Sequence, residues 1–321
     1  DTRDTGRIVF PSANTMLDFA SYRDSDLFAD LRDRDFTINA LAMPATARTR
    51  EAVIDPVNGL ADLDAGLVRL TGPDAMERDP VRALRAVRLA AVLGYEISPD
   101  TQSAARKVAS SLHQSSAERI RDELLKIVEA PAAGMAVKLL NDFDLLDVVL
   151  PEVAALESIP QSKPHQELVL QHTISVLQWL EKLESALLTD APADDPALEV
   201  ARAALSPHLG EISIHLARAV DGGLNGRGVL RLAALFHDVG KPVTMTVDED
   251  GHYRFFGHAE VGAEMTAGRL RSLCLSKDAT NQISRIVREH MRPLLLAQAQ
   301  GAEPSRRAAF RYFKAAGVNG L

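Results

Sequence analysis

The sequence has little of several features that would place it outside the reducing interior of a cell. A single cysteine, Cys274, excludes an intramolecular disulfide and a cysteine-built zinc site. No apolar run approaches the roughly 20 residues that a membrane-spanning helix requires. The first ten residues contain no Met and do not resemble a signal peptide. These absences favour a cytoplasmic protein with no membrane partner.

Positive charge is scarce in total and concentrated in one region. The 321 residues include 36 Lys and Arg against 44 Asp and Glu, which gives a formal net charge of −8. That total argues against indiscriminate binding of nucleic acid but is compatible with a local basic surface. Basic residues recur between residues 78 and 126. The chain is long enough for two or three packed units.

Residues 77–93 predict a helix with an apolar face and a basic face. Asp79 can accept from the free N–H groups of a helix start, and Pro80 fits the first helical position. The residues that can be buried at helical spacing are Val81, Leu84, Val87, Leu89 and Val92. Arginines recur at every third position and would lie within roughly 120° of one another around the helix axis, namely Arg82, Arg85 and Arg88. An aspartate and guanidiniums fixed together can read a nucleobase edge, and the alternative is a helix cap beside a solvated basic face.

Elsewhere the pattern predicts a small sheet followed by helices. Two short apolar runs, 8–10 and 16–20, favour two strands. Residues 35–43 fit a helix or a strand equally well. Almost everything after residue 74 reads as helical, with a junction between units at 160–164 and one hairpin-like turn at 248–253.

Four motifs in order resemble the class II tRNA nucleotidyltransferase and bacterial poly(A) polymerase family, in its CCA-adding form. They are Arg-Asp-Phe-Thr-Ile-Asn-Ala from residue 34, Asp-Pro-Val-Asn-Gly-Leu-Ala-Asp-Leu from residue 55, Asp-Pro-Val-Arg-Ala-Leu-Arg-Ala-Val-Arg from residue 79, and Glu-Arg-Ile-Arg-Asp-Glu-Leu from residue 118. The resemblance implies a mainly α, α+β protein: a remnant of a nucleotidyltransferase head sheet, a helical neck and a helical HD domain. The implied boundaries are 1–48 for the head, 49–159 for the neck and 160–321 for the helical body with the HD domain.

The resemblance also implies a reaction and the residues that bind its nucleotide. An RNA 3′-hydroxyl, most simply that of tRNA, would attack the α-phosphate of CTP or ATP without a template, with Mg²⁺ as cofactor. Arg34, Asp35 and Asn39 match the motif for the sugar and phosphates, and Asp79 and Arg82 match the pair that reads the base. Arg85 and Arg88 complete the expected nucleotide site. The family position of Asp62 implies a structural or hinge role, and we expect Glu118, Arg119 and Glu123 to hold neck helices together by ion pairs.

Three departures from the family pattern bear on activity. No Gly-Gly loop and Asp-x-Asp pair precede Ile8, so we expect a fragment without its catalytic carboxylates that does not polymerise efficiently alone. Asp18 is at most a weak supporting carboxylate. Asp33 stands where members often have Arg, and Arg78 stands where CCA-adding members have Glu. The choice among CCA addition, A addition and polyadenylation therefore stays open.

The second half resembles a metal-dependent HD phosphohydrolase. The implied metal ligands are His172, His237, Asp238, His258 and His290, and the implied ions are Mn²⁺, Ni²⁺ or Mg²⁺. Lys241, His165 and His252 are possible phosphate contacts. Two alternatives to a nucleotidyltransferase follow: an HD phosphohydrolase or phosphodiesterase whose first half only holds RNA, and a non-catalytic RNA-binding scaffold. The oligomeric state is not predicted.

Overall fold

The computed structural model describes residues 5–13, 15–22, 24–162, 167–189, 195–298 and 305–317. It begins with an antiparallel hairpin of strands β1 (Thr5–Phe10) and β2 (Thr15–Ala20). The two short apolar runs therefore form the predicted strands. Both strands are exposed along their length, and Arg7 pairs with Asp18 across them at 2.5 Å. Asp18 is thus a partner within the hairpin rather than a member of a carboxylate cluster.

Helices dominate the rest of the described chain. The first half contains α1 (Leu27–Arg32), α2 (Gly59–Ala65), α3 (Ala75–Arg78), α4 (Val81–Leu93), α5 (Pro99–Val108), α6 (Ala117–Val128), α7 (Ala133–Asp142), α8 (Leu146–Val149) and α9 (Pro151–Ala154). The second half contains α10 (Val169–Leu188), α11 (Pro196–Leu205), α12 (Leu209–Ala217), α13 (Gly226–Phe236), α14 (Lys241–Thr244), α15 (His258–Ser272), α16 (Lys277–Glu289), α17 (Met291–Gln298) and α18 (Arg306–Ala316). No described helix is long and apolar enough to cross a bilayer.

The remaining strands are short local pairs. They are parallel β3 (Leu67–Val68) with β4 (Glu96–Ile97), antiparallel β5 (Ala219–Asp221) with β6 (Leu224–Asn225), and antiparallel β7 (Thr246–Val247) with β8 (Tyr253–Arg254). The last pair confirms the predicted hairpin turn. The mainly α, α+β class is likewise confirmed. Residues 35–43 form neither a regular helix nor a strand, because they contain a 3-10 turn, Thr37–Asn39, between two isolated bridges.

Helix α4 forms the centre of the first half and packs against α6 and α7. Val81, Leu84 and Val87 of its predicted apolar stripe are buried, Leu89 is half-buried, and Val92 is 45% exposed. The prediction that the Asp79 side chain caps this helix is wrong. Pro80 occupies the N-cap position without a side-chain hydrogen bond, and the Asp79 carboxylate turns to Arg119 instead. Gly94, with φ of 69°, ends the helix in the left-handed conformation that glycine adopts without strain.

One buried arginine joins the first half of the chain to the second. Arg231 of α13 donates to both carboxylate oxygens of Glu184 on α10, at 3.1 and 2.8 Å. The same guanidinium donates to the carbonyls of Val128 and Ala130, at 3.0 and 2.6 Å, and so caps the C-terminal end of α6. Arg231 is 4% exposed. The HD-like half is therefore fixed to the helix that forms one wall of the site described next.

Candidate nucleotide and metal sites

A polar cavity of about 850 Å³ opens between α1, the 3-10 turn, α4 and α6. All seven residues predicted for the nucleotide site line it: Arg34, Asp35, Asn39, Asp79, Arg82, Arg85 and Arg88. Three further residues share the wall: Asp33, Leu89 and Arg119. The sequence motifs named Asp33 and Arg119 but did not assign them to the cavity. Five arginines against three aspartates give the lining a side-chain charge of +2, in a chain whose formal net charge is −8.

Backbone carbonyls hold Arg82 in place. Its Nη1 donates to the carbonyls of Arg34 and Ala75 at 3.4 and 3.3 Å, and its Nη2 donates to the carbonyl of Asp33 at 3.1 Å. Burial lowers the pKa of this guanidinium, which is opposed by the attraction of neighbouring aspartates. A guanidinium has five N–H donors, so two remain for a ligand. The Nε atom lies 4.0 Å from Asp79 Oδ2, which places the predicted base-reading pair together.

Asp35 acts as a structural anchor inside the cavity wall. Its Oδ2 lies 2.6 Å from Arg85 Nη2, and its Oδ1 accepts from the Phe36 N–H and from Asn39 Nδ2. Burial alone would raise the pKa of this carboxyl, but Arg85 and these hydrogen bonds outweigh it and lower the pKa below its ordinary value. Asp35 therefore stays ionised and orients Arg85 and Asn39 toward the cavity.

Glu123 of α6 holds Arg88 and Arg85 of α4 in place, as Asp35 holds Arg85. Its side chain is 6% exposed and lies 2.7 Å from Arg88 Nε and 3.9 Å from Arg85 Nη1. The predicted role of Glu123 in joining neck helices fits these contacts between α4 and α6. Glu118 is exposed and forms no ion pair with any other described residue. Asp62 accepts from Thr37 Oγ1 at 2.7 Å and from Arg69, which fits the structural role expected for it.

Asp79 lines the cavity and has one carboxylate oxygen without a hydrogen bond. Its Oδ2 accepts from Arg119 Nη2 at 2.7 Å. Its Oδ1 is buried and has no hydrogen-bond partner among the residues that the structure describes. A buried acceptor without a partner costs about 1–3 kcal/mol, which a ligand N–H can recover. The exocyclic amino group of adenine or cytosine is such a donor.

Asp33 and Asp35 have the spacing of an Asp-x-Asp metal pair but do not fit that role. Arg78 engages the Asp33 carboxylate, and Arg85 engages that of Asp35. Both acids are thereby neutralised by guanidiniums. The described residues of this cavity therefore offer no free carboxylate pair to a Mg²⁺ ion for phosphoryl transfer.

A second cluster lies in the HD-like half, where the predicted metal ligands converge. Two groups have all their ligand atoms within 4.8 Å of one another: His172, His237 and Asp238, and Asp238, His258 and His290. Asp238 belongs to both groups and is 2% exposed. His258 Nε2 lies 3.2 Å from His290 Nε2 and 3.6 Å from Asp238 Oδ1. Five side chains from α10, α15 and the ends of α13 and α16 therefore meet at one point.

Hydrogen bonds to the backbone fix the imidazoles of this cluster for binding a metal. The Nδ1 atoms of His237, His258 and His290 each face the carbonyl three residues earlier, at 2.7, 2.8 and 2.6 Å. Donation through Nδ1 leaves the Nε2 lone pair for a metal. Burial lowers the pKa of His290 to about 4, so its ring is neutral at pH 7. For Asp238, burial acts to raise the pKa, but His237 and Lys241 outweigh it and hold the pKa well below its usual range. The donor set fits a divalent transition metal.

Neighbouring residues shape the same cluster. Lys241 Nζ lies 2.7 Å from Asp238 Oδ2 and donates to Gln161 at 2.6 Å, so it contacts the ligand set directly. A Cβ at Gly240 would lie 2.1 Å from the carbonyl oxygen of His258, so only glycine allows α14 to approach α15 this closely. His252 lies in the exposed hairpin beside Asp248, outside both groups of ligands that contain Asp238. The prediction for His165 lies outside the described residues.

The chain matches, in order, family models of a polymerase head, an RNA-binding region and an HD domain. The family model of the poly(A) polymerase head domain matches residues 9–69, that of the probable RNA- and SrmB-binding site of polymerase A matches 94–157, and that of the HD domain matches 169–311. The chain belongs to the tRNA nucleotidyltransferase and poly(A) polymerase family, as the motifs predicted. Both the nucleotidyltransferase and HD families are metal-dependent.

Particular relatives define the comparison more closely. The chain is 32% identical over 277 residues to the A-adding tRNA nucleotidyltransferase of Deinococcus radiodurans, covering 84% of this chain and 54% of the relative. It is 32% identical over 310 residues to the CC-adding tRNA nucleotidyltransferase of Thermus thermophilus, covering 92% and 57%. The chain spans about half the length of these relatives. A solved complex of a CCA-adding enzyme with ATP has the same fold, with a TM-score of 0.57, 19% identity, and coverage of 100% of this chain and 59% of that one.

Proposed function

We propose that the arginine-lined cavity binds CTP or ATP for template-independent transfer of the nucleotide to the 3′ end of tRNA. The chain alone is not expected to perform this transfer efficiently, because the described residues of the cavity offer no free carboxylate pair for Mg²⁺. The single observation that carries this proposal is the unpartnered Oδ1 of Asp79 beside the fixed Arg82. A carboxylate can accept from the exocyclic amino group of a nucleobase, and neighbouring guanidiniums can donate to its ring nitrogen or carbonyl acceptors. Adenine and cytosine both have such an edge. Guanine and uracil present a carbonyl in place of that amino group, so in the same orientation two acceptors would face each other.

The remaining side chains of the cavity fit the other parts of a nucleoside triphosphate. Arg34, Arg85 and Arg88 supply positive charge for the phosphates, and Asn39 is held beside them by Asp35. The relatives that add A or CC to tRNA support tRNA as the RNA partner. The complex of a CCA-adding enzyme with ATP supports a triphosphate as the nucleotide. In the transfer, the RNA 3′-hydroxyl loses its proton and bonds to the α-phosphorus, and pyrophosphate leaves with the electrons of the broken P–O bond.

The assignment of regions follows from this function. We assign residues 1–48 to the head, residues 49–159 to the neck that holds the nucleotide, and residues 160–321 to the helical body with the HD domain. We also infer a cytoplasmic setting, in keeping with the single Cys274 and with a tRNA substrate.

Calorimetric titration of the chain with each of the four NTPs tests the proposal. We expect ATP or CTP to bind, GTP and UTP to bind at least tenfold more weakly, and Asp79→Ala to remove this preference. Asp74→Ala is the matched control, because Asp74 precedes α3 but does not line the cavity. Equal affinity for all four nucleotides, or none for any, contradicts the proposal. A parallel assay with Mg²⁺ and tRNA lacking its 3′ end measures incorporation.

A second activity is favoured by the cluster around Asp238. We propose that His172, His237, Asp238, His258 and His290 hold Mn²⁺, Ni²⁺ or Mg²⁺ and that this half hydrolyses 2′,3′-cyclic or 2′-phosphate ends of nucleotides. A divalent ion held there would supply a nucleophilic hydroxide near neutral pH. Lys241 contributes a positive charge beside Asp238 that can bind a substrate phosphate.

Hydrolysis of a 2′,3′-cyclic nucleotide in the presence of each ion tests this second activity. We expect turnover that His237→Ala abolishes while nucleotide binding at the cavity is unchanged. Metal binding without hydrolysis would assign the cluster a purely structural role. Nucleotide or RNA binding without either turnover would instead favour the scaffold function.

A further inference from the structure

Two positions at which the chain departs from the family pattern, one in the head and one in the neck, meet in this fold. Asp33 and Arg78 form an ion pair, with side chains 35% and 52% exposed. Asp33 follows α1 and lines the nucleotide cavity, whereas Arg78 ends α3 and lines a neighbouring cavity of about 780 Å³. The pair therefore connects the walls of two adjoining cavities. An acid and a base 45 positions apart in sequence are thus brought into contact by the fold.

The charge of Asp33 is unfavourable for the proposed ligand. A carboxylate in the lining repels a triphosphate, and in a partly solvated cavity this repulsion extends over several ångströms. The negative charge of Asp35 is balanced by its buried ion pair with Arg85, and that of Asp79 by its ion pair with Arg119. Arg78 is the ion-pair partner that the structure gives to Asp33. Without Arg78, Asp33 would have no ion-pair partner among the described residues, although the lining as a whole would stay positive.

Resting on the nucleotide-binding function proposed above, we infer that Arg78 is a positioning residue that cancels the charge of Asp33 and thereby sets the affinity of the cavity for the triphosphate. It does so without reading the base. Because the pair is half exposed, it adds little to folding stability, so its effect on binding can be measured in folded variants.

A purely structural pair would behave differently. The Asp33 carbonyl accepts from Arg82, so the pair could also act by holding residues 33 and 34 against the base-reading arginine. In that case, removing either partner would weaken binding equally. The electrostatic function predicts opposite effects, because Arg78→Gln leaves an unpaired acid near the phosphates and Asp33→Asn leaves an unpaired base.

Calorimetric titration of the 321-residue chain with ATP, CTP, inorganic triphosphate and adenosine separates these cases. For the three charged ligands we expect Arg78→Gln to weaken binding about three- to tenfold, and Asp33→Asn to leave it unchanged or tighten it by up to about fivefold. The double variant should return to within about twofold of the unmodified chain. Adenosine should be unaffected, and the differences should shrink at high salt. Lys107→Gln is the control, because it removes an exposed ion pair with Glu77 of α3, and neither of these residues lines the nucleotide cavity.

The outcomes distinguish this inference from the function on which it rests. Equal weakening of binding by both single variants, or a change in the ratio of ATP to CTP affinity, overturns the inference about Arg78. The nucleotide-binding function is still upheld in that case if the unmodified chain binds ATP. If the chain binds inorganic triphosphate but neither ATP nor CTP, the nucleotide-binding function is wrong. Opposite effects of Arg78→Gln and Asp33→Asn on triphosphate binding would still support the electrostatic role of Arg78. An unmodified chain that binds none of the charged ligands contradicts both.

Discussion

Arg119 donates to Oδ2 of Asp79 at 2.7 Å and leaves the other carboxylate oxygen, Oδ1, buried without a hydrogen-bond partner among the described residues. The two residues come from different helices, with Arg119 on α6 and Asp79 between α3 and α4. The orientation of the proposed base-reading acceptor is thus set by a residue that need not touch the base.

Replacing Arg119 is expected to reduce base selectivity. In Arg119→Ala the carboxylate of Asp79 can rotate toward Arg82, and the ratio of ATP or CTP affinity to GTP or UTP affinity should fall about tenfold, the value of one well-placed hydrogen bond to a charged group. Arg119→Lys should restore part of the ratio. Calorimetric titration with the four nucleotides measures it. Arg121→Ala is the control, since Arg121 lies on the same helix but pairs with Asp122. An unchanged ratio in Arg119→Ala would show that Asp79 is oriented without Arg119.

The Asp35 carboxyl should make stability depend on pH in the acid range. Its pKa is lowered in the folded state, so the unfolded chain binds more protons as the pH falls. The stabilisation is therefore complete above the unfolded pKa of about 3.9 and is lost as the pH drops through the lower folded pKa. Asp35→Asn should cost about 1–3 kcal/mol at pH 7 and flatten the dependence below about pH 4. Urea unfolding from pH 7 to pH 3 tests this, and parallel curves for the two proteins would refute it.

The buried Arg231 should contribute strongly to stability. Arg231→Met leaves Glu184 as a buried charge and two backbone carbonyls without their donor, which costs about 3–5 kcal/mol. Arg227→Ala is the matched control. Arg227 contacts the same Glu184 at 3.2 Å but is 39% exposed, so its loss should cost no more than about 1 kcal/mol. Chemical denaturation of both variants gives the comparison. Similar losses for the two would mean that the backbone contacts of Arg231 contribute little.

Metal binding at the Asp238 cluster should raise the thermal stability of the chain. A ligand present at 100 times its Kd stabilises the folded state by about 2.7 kcal/mol, so Mn²⁺ or Ni²⁺ should increase the Tm measurably. His258→Ala should remove most of this increase. His208→Ala should not, because His208 is 63% exposed and lies near Glu211 rather than near the cluster. Thermal melts with and without chelator provide the measurement. An increase that survives in His258→Ala would place the ion elsewhere.

Gly240→Ala should disturb the same cluster through the backbone. The added Cβ would meet the carbonyl oxygen of His258 at 2.1 Å, which forces α14 and α15 apart and displaces a proposed ligand. We expect a loss of about 2 kcal/mol or more in stability and weaker metal binding. Gly268→Ala is the control, because its Cβ meets no atom within 4 Å and a helical Ala stabilises by about 0.5–1 kcal/mol. Gly240→Ala that binds metal normally would show that the helices can separate without cost.

The sequence was sufficient for features that depend on local spacing or on family motifs. The three-residue repeat of Arg82, Arg85 and Arg88 places all three side chains on one cavity wall, as predicted. Contacts between distant segments were not predictable in this way. The Asp79 side chain could have capped α4, but Arg119, 40 residues away, is a stronger partner, and nothing in the periodicity of either segment encodes that contact. The pairing of Asp33 with Arg78 was hidden for the same reason.

The anchoring of Arg82 on main-chain carbonyls has a consequence for how sequences of this family can diverge. Every residue type offers a carbonyl, so the three acceptors at positions 33, 34 and 75 persist whatever side chains those positions acquire. Substitutions there can retune the charge around the cavity while the guanidinium stays where it is. An aspartate at position 33 therefore changes the charge beside the cavity without removing the carbonyl that holds Arg82.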